Sequence, residues 1–137
     1  MDPCVRTHAP TPPVVAELSI RVAGGPDAPA EARTALRRFH PRLPPELMQV
    51  VVLLASELVS NAVQHANAES IPIRFEVLRT HVRVDVADAG AGFIPNPRRP
   101  EHGRTGGWGL HLVDELASRW GVTDTVDGTR VWFEIDR

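Results

Sequence analysis

The chain of 137 residues has no lysine, no tyrosine and a single cysteine, Cys4. Without lysine, the phosphate-cradling motif Gly-x-x-x-x-Gly-Lys-[Ser/Thr] cannot occur. Phosphate binding would have to rely on backbone N–H groups, arginine or a metal ion. One cysteine excludes a disulfide framework and a zinc site built on cysteine clusters. A net charge of −2 offers no electrostatic basis for direct nucleic-acid binding or for a polybasic membrane contact. No uninterrupted apolar run reaches the roughly eighteen residues that would suggest a membrane span. Residues 1–13 hold four prolines and lack the apolar centre of a signal peptide. The expectation is a cytoplasmic protein. The length fits one domain with one core, preceded by a disordered Pro-rich tail over residues 1–13.

From residue 14 onward the patterning is that of a folded α+β unit. Leu18, Ile20 and Val22 alternate with Ser19 and Arg21, which predicts a strand over 14–22. Asp27 is placed to cap a helix over about 29–39, in which Arg33 and Arg37 share a face. Pro41, Pro44 and Pro45 separate it from a longer apolar helix over about 46–66. Strands over 71–78 and 81–87 follow, joined at Arg79-Thr80. Residues 94–105, with three prolines and three arginines, read as a functional loop. Helical spacing then extends to about Trp120, and a hairpin over 122–126 and 129–135 turns at Asp127-Gly128. The order β-α-α-β-β-α-β-β predicts a two-layer α/β sandwich, with helices on one face of a mixed, mostly antiparallel sheet.

Three segments carry chemistry. In the first, Glu57, Asn61 and His65 stand four residues apart, as a polar stripe on an apolar helix. Asn61 could offer its amide oxygen to Mg²⁺, which takes few protein ligands and fills its shell with phosphate and water. Glu57 could orient or deprotonate a nucleophile facing a γ-phosphate. In the second, Asp88 follows a strand and precedes Gly90 and Gly92. A carboxylate fixed there could accept from an amino group such as adenine N6, with glycines allowing backbone to approach a flat ring. In the third, Gly106-Gly107-Trp108-Gly109-Leu110 opens a helix, whose free N–H groups and dipole attract anions. Arg98, Arg99 and Arg104 precede it, and Thr129 lies on the last strand where its hydroxyl could join Asp88. Each segment also has a plainer reading: a solvated helix edge, a turn, loop charges, an ordinary strand threonine, and for His65 a helix-end cap. Together they form what an ATP site needs in the absence of a lysine loop.

These segments resemble the boxes of the GHKL superfamily, which includes gyrase, histidine kinases and MutL. The closest likeness is to the small stand-alone anti-sigma-factor serine/threonine kinases. The pattern Glu-Leu-Val-x-Asn-Ala-x-x-His-Ala matches residues 57–66, Asp-x-Gly-x-Gly-Phe matches 88–93, Gly-Gly-x-Gly-Leu matches 106–110, and Gly-Thr matches Gly128-Thr129. The resemblance covers about residues 14–137. It implies the Bergerat ATP-binding fold, with ATP and Mg²⁺ as cofactors. Glu57 would be the general base, Asn61 the Mg²⁺ ligand and Asp88 the adenine reader. Gly90, Gly92 and Phe93 would shape the adenine pocket, and residues 94–105 would be the lid. His65, Arg104, Gly106, Gly107, Trp108, Gly109, Leu110 and Thr129 would complete the nucleotide site. Ala89 and Ala91 stand where the family often has polar or larger residues.

The resemblance further implies a homodimer that binds a sigma factor and phosphorylates an anti-sigma antagonist protein on serine or threonine. A non-catalytic, ATP-gated binding module of the same fold is the alternative. A histidine-kinase catalytic domain is disfavoured, because no phosphoacceptor helix pair precedes the motifs. Among the six histidines there is no metal-spaced cluster and no Ser-His-Asp order to suggest a metabolic enzyme.

Overall fold

The computed structural model describes residues 13–39, 43–65, 69–88, 107–125 and 128–137; of His65, Asp88, Gly107, Trp108, Gly109 and Thr125 it describes the backbone alone. Five strands and three helices follow in the order β1 (Val14–Ala23), α1 (Ala28–Phe39), α2 (Pro45–His65), β2 (Ser70–Leu78), β3 (His81–Asp88), α3 (Gly107–Leu116), β4 (Arg119–Thr125) and β5 (Gly128–Asp136). Pro45 opens α2 where its fixed φ and missing N–H carry no penalty. The main chain of Asp27 receives the Glu31 N–H at 3.0 Å, as a capping residue does at the head of α1.

The strands form one sheet in the order β1-β2-β3-β5-β4. Every ladder is antiparallel, which corrects the expectation of a mixed sheet. The reason lies in the connections. Two helices between β1 and β2 carry the chain across and back, so β2 returns antiparallel. The single helix between β3 and β4 does make those two strands run the same way, but β5 lies between them and pairs antiparallel with both.

Strand alternation sends Ile73, Phe75, Val82, Val84, Val86, Val131 and Phe133 to the helical side, where all are buried. From α1, Ala32 and Leu36 meet them, and Phe39 packs edge-on against Phe75 with ring centroids 5.6 Å apart. The central helix is α2, which packs against α1, α3 and β3. Its apolar face is wider than the periodicity of a surface helix requires: Val51, Val52, Leu54, Ala55, Leu58, Val59 and Ala62 are all buried. By length and composition alone α2 could cross a membrane. Burial against its neighbours accounts for that apolarity.

The expected helix to Trp120 is corrected. The last α3 hydrogen bond is Ala117 N–H to Val113 carbonyl at 2.9 Å, and Ser118 N–H then joins Glu134 carbonyl at 2.8 Å. Trp120 therefore lies in β4, opposite Phe133, and its indole N–H donates back to Asp114 of α3 at 2.9 Å. All of the expected Pro-rich tail over residues 1–13 except Pro13, and the loop over 94–105, lie outside the described residues.

Candidate functional site

One side of α2 carries polar groups into an apolar environment. Asn61 is only 4% exposed, and its buried amide nitrogen has no hydrogen-bond partner among the described residues. A donor left unpaired in this way normally costs about 1–3 kcal/mol. A helix that merely presented a solvated edge would not place it there. The plainer reading of the stripe therefore fails at Asn61. The side-chain oxygen of an amide is a suitable ligand for a hard cation, and the orphan N–H is a suitable donor to an anionic oxygen bound beside it. Among the described residues no three His, Cys, Asp or Glu side chains gather as a metal cage.

Glu57 stands one turn earlier and is half-buried. Burial pushes its carboxyl above the usual carboxylate range, and the positive charge of Arg33 pulls the other way. The two side chains line one groove between α1 and α2, of about 490 Å³, together with Arg37, Gln49, Leu53 and Ser56. Ser56 is itself buried, its hydroxyl donating to the Leu53 carbonyl at 2.8 Å. Sequence reasoning placed Arg33 and Arg37 on one face of α1 and gave that face no role in the site. The signal that could have placed it was the pairing of Arg33 and Arg37 at i, i+4 on a helix that must pack on α2.

The backbone of His65 closes α2, as expected of a helix-end residue. At the end of β3, Asp88 is the register partner of Thr129 on β5, so these two candidates are adjacent across one ladder. Thr129 is 5% exposed, which separates it from an ordinary outward-facing strand threonine. Its hydroxyl lies 3.4 Å from Asp124 Oδ1 on β4, a long contact. Gly128, with φ of 140°, precedes it in a backbone conformation that favours glycine. Gly107, Trp108 and Gly109 form the first turn of α3, as the anion-binding reading requires, and Leu110 is buried beneath them in the core. Gly90, Gly92, Phe93, Arg98, Arg99, Arg104 and Gly106 lie outside the described residues.

The structure thus brings Asn61 and Glu57 onto one face of α2, and pairs Asp88 with Thr129 at one strand end. The helix that carries Glu57 and Asn61 packs against both β3, which ends at Asp88, and α3, which starts at Gly107. A solved structure of the histidine kinase domain of a blue-light activated histidine kinase from Erythrobacter litoralis EL346 matches this chain with TM-score 0.53 and 26% identity, over 79% of this chain and 58% of that one. A structure titled as the blue-light activated histidine kinase itself, from the same organism, matches with TM-score 0.54 and 26% identity, over 83% of this chain and 42% of that one. This chain therefore spans less than two thirds of either. Among curated protein sequences no match is found. The family model described as the histidine kinase-like ATPase domain matches residues 23–135, so nearly all of the folded unit is accounted for, and the chain belongs to that family, within the GHKL superfamily.

Proposed function

We propose that this ATP-binding domain is an Mg²⁺-dependent serine/threonine protein kinase of the anti-sigma-factor type, which binds a sigma factor and phosphorylates an anti-sigma antagonist. The observation that carries the reading is the pairing on α2 of a half-buried carboxylate, Glu57, with a buried amide, Asn61, whose donor has no partner among the described residues. A module that only gated binding by ATP would have no use for a carboxylate held partly out of water beside that amide.

Bound Mg²⁺–ATP would supply the phosphoryl group. Asn61 would hold the metal through its side-chain oxygen. Glu57 would accept the proton of the protein hydroxyl as that oxygen attacks the γ-phosphorus, the bond to the bridging oxygen breaks and ADP leaves. A carboxylate whose proton affinity is raised by burial is a stronger base than an exposed one. Asp88 would accept from the adenine amino group, with Thr129 beside it, and Gly90, Gly92 and Phe93 would shape the base pocket. The N-terminal turn of α3, with Gly107 and Gly109, would turn its free N–H groups towards phosphate, and His65, Arg104, Gly106, Trp108 and Leu110 would complete the pocket. The serine/threonine assignment, the sigma-factor and antagonist partners, the homodimer and the cytoplasmic setting rest on the likeness of residues 57–66, 88–93 and 106–110 to the anti-sigma kinases.

A second reading is favoured by the two solved relatives, which are histidine kinases: the acceptor would be a histidine. Calorimetry with Mg²⁺–ATP on wild type, Asp88→Asn and Asn61→Ala tests the site. Binding should fail in Asp88→Asn and lose its dependence on Mg²⁺ in Asn61→Ala. Transfer from labelled ATP to an acceptor protein should fall about 10²–10⁴-fold in Glu57→Gln, with nucleotide binding kept. Label stable to acid identifies a serine or threonine ester; acid-labile label would assign a phosphohistidine and replace the first reading with the second.

A further inference from the structure

The sheet face turned away from the helices is charged across its whole width. Its middle row, in register, is Glu17, Glu76, Arg83, Glu134 and Arg119, and these charges satisfy one another. Arg83 binds Asp85 at 3.0 Å and Glu134 at 3.0 Å, Arg119 binds Glu134 at 2.8 Å, and Arg74 from the next row binds Glu17 at 2.6 Å. The row nearest Asp88 differs. Arg21 on β1 and Arg130 on β5 are exposed, and among the described residues neither has a carboxylate partner; Arg21 reaches only the Ser70 hydroxyl, at 3.3 Å. Between them Pro72 and Ala87 are too short to fill the row, which leaves an open trough of about 510 Å³. The carboxylate that also lines the trough, Asp85, is already held by both arms of Arg83.

We propose that this trough docks an extended acidic segment of a partner polypeptide, with carboxylates on Arg21 and Arg130. The two arginines sit on strands three ladder steps apart, which is about 14 Å at ordinary strand spacing. Carboxylates four residues apart on an extended chain match that main-chain separation, at about 13–14 Å. The floor offers proline and alanine, and among the described residues that line the trough there is no aromatic ring to stack a base. A small ligand would be neither enclosed nor oriented there. Guanidinium groups pair well with carboxylates in a two-pronged geometry. A second copy of the same face is a poor occupant, because its carboxylates Glu17, Asp85 and Glu134 are already paired with arginines. This inference does not depend on the kinase reading.

The test is fluorescence anisotropy with a labelled octaglutamate peptide at low salt, on the full chain. Saturable binding should weaken at least tenfold in Arg21→Gln/Arg130→Gln, and should be unaffected in Arg33→Gln/Arg37→Gln, which alters the arginine pair on α1. Thermal melts of both variants report folding, and Arg130→Glu alone, at an exposed site, provides a second route to the same loss. Equal binding by wild type and the Arg21/Arg130 variant would overturn the proposal, as would loss in the α1 variant. Displacement by inorganic triphosphate at equimolar concentration would reassign the trough to small polyphosphates and overturn it as well.

Discussion

Glu57 and Asn61 are four residues apart and differ in what holds them. The carboxyl of Glu57 is raised by burial and lowered by Arg33 across the groove. A base must be ionised, so the acid limb of kcat/KM should lie above the ordinary glutamate value of about 4.3. Removing the opposing charge should move that limb further up: Arg33→Gln shifts it to higher pH, and Arg33→Lys restores it. A pH–rate profile of the three proteins checks this, and an unmoved limb would detach Arg33 from Glu57. For Asn61 the prediction concerns stability. Its amide nitrogen has no partner among the described residues, so Asn61→Ala should cost the ligand-free protein less than about 1 kcal/mol in urea unfolding. Leu54→Ala, in the same helix at 0% exposure, should cost about 2–5 kcal/mol. A cost for Asn61→Ala that matched Leu54→Ala would mean that the amide stabilises the ligand-free fold. The spacing of these residues was visible in the sequence because helical periodicity is local. The burial of Asn61 and the approach of Arg33 were not, because both depend on how α1 and α2 cross.

The elements divide in the same way. The α2 boundaries predicted from proline and periodicity, about 46–66, fall within one residue of Pro45–His65, and β2 and β3 were legible from alternation and the Arg79-Thr80 turn. The end of α3 was not. Leu116, Ala117 and Trp120 sit at helical spacing, yet Trp120 is more stable in a strand opposite Phe133, with its N–H on Asp114. Long-range pairing overrode a local pattern. The same strand contains Gly121, where the methyl group of an alanine would meet the Trp132 ring at 2.9 Å from Cζ2. Trp132 lies flat there, with the Arg83 guanidinium 4.3 Å from its ring centroid. Gly121→Ala should displace the ring, loosen that stack and lower stability by about 1–3 kcal/mol, read as a drop in the urea midpoint. A neutral result would show that the indole moves freely.

At the scale of the whole molecule, the class of fold follows from the order of elements, since two helices between β1 and β2 and one between β3 and β4 leave few ways to cover a single sheet. What the order does not reveal is that β5 enters between β3 and β4. No local signal marks which neighbour a strand will take, and Val131, Phe133 and Ile135 would suit an edge or a centre equally well in sequence. The insertion has a result for the site as well, because Asp88 finds Thr129 only through it.

That insertion also bears on biosynthesis. During translation β3, α3 and β4 emerge with an empty lane in the sheet, and the strand that fills it follows them in sequence. Until residues 128–136 are free, β3 and β4 each present an unpaired hydrogen-bonding edge, and the core lacks Phe133. Folding cannot be completed piece by piece from the N-terminus; it must wait for the final strand and close around it. A chain cut after residue 127 should therefore show no cooperative thermal transition and no nucleotide binding, and a separately synthesised peptide of residues 128–137 should restore both when added back. Cooperative melting of the cut chain alone would show that β3 and β4 can pair without their intervening strand.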